Sequence, residues 1–190
     1  MQLLFQDTIN NLNKVYFHVI MSDKLSINQI ITEVFDQLTE FCGIEYLFDS
    51  NASAIYDPDY VRSGPVLFDD SSPFSLCYAF EVIRENMCIH GRGKKRIRTV
   101  VEQNRQLIYF ECQSPHISQE KIRNLNQTID LILSGQELIA KRDSRFALHG
   151  TQKAARCLRR YGGTMRYENI SNEYTVRTVI SLPLHQRSAS

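Results

Sequence analysis

The chain has 190 residues, 43% of them hydrophobic, which suits one globular unit with a short extra element rather than two full domains. Its 22 basic and 21 acidic residues are interspersed and leave a formal net charge of +1, so the charge balance predicts neither nucleic acid nor an anionic membrane as partner. The five cysteines, Cys42, Cys77, Cys88, Cys112 and Cys157, are odd in number and lack metal-ligand spacing, which fits core positions in a reduced cytoplasmic compartment; no stretch approaches the length of a membrane span, so no membrane contact is expected from the chain itself.

Phe5, Ile9, Leu12, Val15, Phe17 and Ile20 recur at loosely helical spacing and predict an N-terminal helix within residues 1–23. Ser22 and Asp23 offer an N-cap to a second helix, whose stripe of Leu25, Ile27, Ile30, Ile31, Val34, Phe35 and Leu38 runs to Gly43. Ile44 to Phe48 reads as a strand, and the turn-rich stretch from Asp57 to Pro73 has room for one more. A long helix is expected from Phe74 to about His90, burying Leu76, Phe80, Ile83 and Met87.

Arg96 to Glu102 and Leu107 to Cys112 are β-prone runs around a loop of Gln103 to Gln106, the pattern of an antiparallel hairpin. A helix is expected near Glu120 to Leu133. Gly150 then opens another, with Ala154, Leu158 and Tyr161 as its stripe and Gly162 and Gly163 as its stop. Thr164 to Glu168 and Tyr174 to Leu182 form a second hairpin, ended by Pro183, with a loose tail over 184–190. The economical architecture is α+β: a two-layer sandwich with helices on one face of a mixed, mostly antiparallel sheet.

Asn86 and His90 stand at i and i+4 on the shoulder of the helix stripe, where a pocket wall would lie, while Glu85 points to solvent. A hard cation needs an oxygen ligand, which Asn86 can supply and His90 cannot. The segment RENMCIHG, Arg84 to Gly91, resembles the N box of the GHKL ATPases (gyrase, heat-shock chaperone, histidine kinase, mismatch-repair protein). The version it is similar to is that of sensor histidine kinases of the autolysis and quorum-sensing type. The run from His149 to Pro183, HGTQKAARCLRRYGGTMRYENISNEYTVRTVISLP, resembles the end of a kinase catalytic domain.

The resemblance implies a Bergerat-type ATP-binding fold over residues 24–183, ATP and Mg²⁺ as cofactors, and a role in two-component signalling. It implies that Asn86 meets Mg²⁺, that His90 lies near the phosphates, and that Gly150 and Thr151 stand at a phosphate-binding helix start. It further implies a homodimer, a response-regulator or other signalling partner, and the cytoplasmic part of a membrane-bound kinase. Residues 1–23 would be the remnant of a dimerisation hairpin.

The departures from the family are specific. Cys112, Gln113 and Ser114 stand where its adenine-binding aspartate would be, and Gln152 stands where a second glycine would be. None of His18, His90, His116, His149 and His185 is followed by the acidic neighbour of an acceptor histidine, so no catalytic residue is assigned. Asn86 also reads as a satisfied polar residue at a core edge, and His90 as a helix-end residue suited to the dipole. The basic run Arg92, Lys94, Lys95, Arg96 and Arg98 reads as a solvated strand edge. Two functions compete: an ATP-binding module of a sensor kinase with a partly degenerate site, and a nucleotide-free or phosphotransferase-like module for dimerisation or docking.

Overall fold

A computed structural model describes residues 25–36, 43–49, 55–56, 76–114, 117–136, 147–170 and 173–184. The expected N-terminal helix, the 57–73 stretch, Cys42 and the tail beyond Leu184 lie outside the described residues. The described elements are β1 (Leu25–Ser26), α1 (Ile27–Asp36), β2 (Ile44–Phe48), β3 (Ile55–Tyr56), α2 (Leu76–His90), β4 (Arg92–Glu102), β5 (Arg105–Gln113), α3 (Gln119–Leu133), α4 (Ala147–Arg160), β6 (Thr164–Asn169) and β7 (Val176–Pro183).

Five strands form one sheet in the order β2-β4-β5-β7-β6, while β1 and β3 make a separate antiparallel pair. Only the β2 and β4 pairing in the larger sheet is parallel. The helices cover one face of it, so the fold is the expected α+β sandwich. Strand periodicity sorts the side chains: Ile97, Ile108, Phe110, Val176, Ile180 and Leu182 point into the core under the helices. Phe110 lies between the layers, stacked on Phe35 of α1 at 5.5 Å and tilted to Phe80 of α2 at 6.1 Å. Burial of Ile30, Ile31, Leu76, Ile83, Ala154 and Leu158 confirms the stripes read from the sequence.

The boundaries needed correction where local chemistry won over periodicity. The N-cap of α1 is Ser26, not Ser22 or Asp23. Ser26 Oγ accepts from the Gln29 amide at 3.1 Å, and Gln29 Oε1 accepts from the Ser26 amide at 2.9 Å, a reciprocal capping box. The first hairpin turns on two residues rather than four. Gln103 and Asn104 both have positive φ, +47° and +64°, as a primed two-residue turn demands, and the strands run on through Glu102 and Arg105. Helix α4 begins at Ala147, three residues before Gly150.

Buried charge was not legible in the apolar pattern. Arg84 is 4% exposed; its Nη1 donates to the Val34 carbonyl at 2.8 Å near the end of α1, and its Nη2 pairs with Glu81 at 2.7 Å. A cation at a helix C-terminus meets the negative end of the dipole, so this pair ties α2 to α1. The basic run is solvated only at its start: Arg92 and Lys94 are exposed, while Lys95 is buried and Arg96 pairs with the buried Glu111.

Candidate functional site

The helices α2, α3 and α4 and the ends of β5, β6 and β7 enclose a cavity of about 160 Å³. Its walls are apolar, from Ile83 and Met87 of α2, Leu125 of α3 and Val176 of β7. Its polar groups arrive one per element: Asn86 from α2, Ser114 just past β5, Thr151 from α4, Tyr167 from β6 and Thr178 from β7. His90, Arg92 and Lys121 are exposed and line it as well, giving the mouth a cationic character.

Three of the four residues singled out in the sequence therefore converge. Asn86 is half-buried, Thr151 is buried, and His90, one turn after Asn86, sits at the rim. Gly150 does not line the cavity. A Cβ there would stand 3.1 Å from Val82 Cγ1, so the missing side chain lets α4 pack close against α2. Because α4 starts at Ala147, the amides left outside its hydrogen-bond ladder belong to the turn before Thr151, which offers its hydroxyl instead.

The residue that joins them is Tyr167. Its hydroxyl lies 3.2 Å from Thr151 Oγ1 in a buried hydrogen bond, and the polar side chains of Asn86 and Thr178 line the same cavity beside it. Burial pushes the phenol above its ordinary ionisation range, against the opposing pull of Thr151 and its other polar neighbours, so it is neutral at physiological pH. The strand pattern of Met165 and Tyr167 signals only that the ring faces inward, and a buried tyrosine demands hydroxyl partners. Which partners it finds depends on how α2 and α4 dock.

Tyr167 is held from behind as well. Asn126 of α3 donates through Nδ2 to the Tyr167 carbonyl and accepts through Oδ1 from the Tyr167 amide, both at 2.8 Å. This amide does for the edge strand β6 what another strand would do, satisfying its outward backbone groups. Helix α3 starts sharply, with Ser118 Oγ accepting from the Lys121 amide at 3.2 Å.

The donor set bears on the implied cofactors. Among the described residues no carboxylate lines the cavity, and no cluster of three or more His, Cys, Asp or Glu could hold a metal. Asn86 offers one amide oxygen beside cationic neighbours, which is too little for a resident Mg²⁺; such an ion would have to arrive on phosphate oxygens. Of Cys112, Gln113 and Ser114, which the resemblance sets in the place of an adenine-binding acid, Cys112 lines the cavity with a thiol that burial pushes up to about 11, a protonated weak donor with no carboxylate's acceptor strength. The groups present suit an anion at the mouth better than a base in the interior.

No protein-family model and no curated protein sequence matches the chain. Solved structures do. The histidine kinase domain of the E. coli osmosensor EnvZ superposes with a TM-score of 0.57 at 16% identity, covering 88% of this chain and 92% of that one. The nucleotide-free catalytic domain of histidine kinase ThkA gives 0.55 at 16% identity over 85% and 95%. The mycobacterial sensor histidine kinase MprB gives 0.54 at 12% over 84% and 95%. Element order, the mixed five-stranded sheet and these superpositions agree: the chain has the histidine-kinase-like ATPase fold.

Proposed function

We propose that the chain is an ATP-binding module of a sensor histidine kinase in two-component signalling, with a nucleotide site that has kept its phosphate side and lost its base side. The observation that carries this reading is the convergence of Asn86 and Thr151 on one cavity with a cationic mouth and no carboxylate among the described residues. The phosphates of ATP, with Mg²⁺ travelling on them, would meet Asn86, His90 and Thr151, with Arg92 and Lys121 supplying charge. Binding is then weak and falls with salt, because exposed cations supply most of the attraction. As an enzyme it would be a histidine protein kinase, acting as a homodimer on a response regulator. Its domains would be residues 24–183 for the ATPase-like unit, with 1–23 a remnant of the dimerisation hairpin and 184–190 a tail; a cytoplasmic location follows from the same reading. No helix among the described residues is long and apolar enough to cross a membrane.

Isothermal titration with MgATP at millimolar concentration tests the proposal. Measurable binding is expected, weakened about tenfold by Asn86→Ala, the loss of one hydrogen bond to a charged ligand. A cavity of about 160 Å³ also favours a second reading, since one of ~150 Å³ holds a benzene and ligand pockets start near ~300 Å³. In that reading the module is nucleotide-free and serves dimerisation or docking. Absence of heat with both the parent protein and the variant would select it.

A further inference from the structure

We infer that Tyr167 is the residue that sets what this cavity admits: it plugs the inner end and keeps Thr151 engaged with itself rather than with a ligand. The inference deepens the nucleotide reading and rests on it. A phenol hydroxyl donates one hydrogen bond and accepts two. Thr151 takes one of these at 3.2 Å, and Asn86 and Thr178 line the cavity beside the same hydroxyl, so an incoming group has to compete with these side chains for it. The Tyr167 residue is 8% exposed and its side chain lines the cavity, so its ring is bulk that a purine would have to displace.

The plug is also anchored. The two Asn126 bonds fix the Tyr167 backbone at both its amide and its carbonyl, so the residue cannot swing out with a fraying edge strand. Any nucleotide that reaches the Thr151 hydroxyl must first break its bond to Tyr167, and affinity falls by that competition. Tyr167 is thus a specificity-determining residue that discriminates against large bases by volume and against phosphate by occupying its partners.

The test compares MgATP affinity by isothermal titration for the parent protein, Tyr167→Phe and Tyr167→Ala. Phe keeps the ring and releases the hydroxyl partners, so about fivefold tighter binding is expected; Ala also opens the inner end, so the gain should exceed tenfold. A merely structural tyrosine gives no gain in either variant. If the parent binds MgATP and Tyr167→Phe binds it equally or more weakly, the plug is overturned while the nucleotide reading stands. If no form binds, both fail. Tyr167→Phe preserves the core volume, so the comparison holds even if Tyr167→Ala does not fold.

Discussion

The two faces of the sheet bury polar groups in opposite ways. On the helix side the polar groups inside the cavity are neutral hydroxyls, a half-buried amide and a thiol: Tyr167, Thr151, Thr178, Ser114, Asn86 and Cys112. On the open side a row of alternating charge crosses all five strands in register, Glu45, Arg96, Glu111, Arg177 and Glu168. Glu111 at its centre is fully buried yet holds Arg96 at 2.6 Å and Arg177 at 2.6 Å, and Arg177 reaches Glu168 at 3.5 Å. Arg98 and Arg177 flank the Tyr109 ring at 4.3 Å and 5.1 Å. Hydroxyls can exchange donor and acceptor roles, so the helix side can reorganise around a ligand. A carboxylate between two guanidiniums cannot, which makes the open face scaffold and the covered face site.

Glu111→Ala should produce the largest effect. It takes the shared buried partner from Arg96 and leaves Arg177 only its longer contact to Glu168, and with both guanidiniums partly exposed the cost is about 3 kcal/mol, the low end for breaking a buried pair, read as a lower urea midpoint at unchanged slope. A loss below about 1 kcal/mol would mean that the row is held by its backbone pairing and the two faces do not differ in kind.

The helix side is expected to fail in alkali instead. Burial pushes the thiols of Cys112 and Cys157 from 9.0 to about 11 and about 12. Raised folded values mean that the stabilisation is fully present below pH 9 and is lost as pH rises through those values. By pH 10 the two thiols together remove about 3 kcal/mol, and Cys157→Ala should flatten that slope in a melting-temperature series from pH 8 to 10. An unchanged slope in the variant would show that the thiols reach water.

Most of the fold was readable because apolar periodicity sets it: the stripes of α1, α2 and α4 and the alternation of β7 are the parts of the chain that the core demands. What stayed hidden was polar. The Ser26 capping box was present as Ser-x-x-Gln but was overshadowed by Ser22 and Asp23, and the two-residue turn was masked because Gln103 is an unusual occupant of positive φ. The ion pair of Glu81 with Arg84 and the Glu111 row join residues whose partners are chosen by docking and register, which spacing alone does not supply. At the site, Asn86, His90 and Thr151 could be named from motif and helix geometry. Tyr167 and Asn126 could not, because each matters through a partner more than fifteen residues away in sequence.

Gly150 gives the smallest effect and the finest distinction between site and scaffold on the covered face. As a phosphate-side glycine it would let backbone approach the ligand, and adding a methyl would cut MgATP affinity at least tenfold. Its observed neighbour is Val82 Cγ1, 3.1 Å from where that methyl would sit. Alanine in a helix is favoured over glycine by up to ~1 kcal/mol, and the crowding of a single valine methyl group costs a comparable amount, so the stability of Gly150→Ala should change by less than about 1 kcal/mol. With the cavity lining untouched, its MgATP affinity should fall by less than about threefold, a small perturbation on the affinity scale. A tenfold loss at unchanged stability would move Gly150 from the packing of α4 on α2 into the site itself.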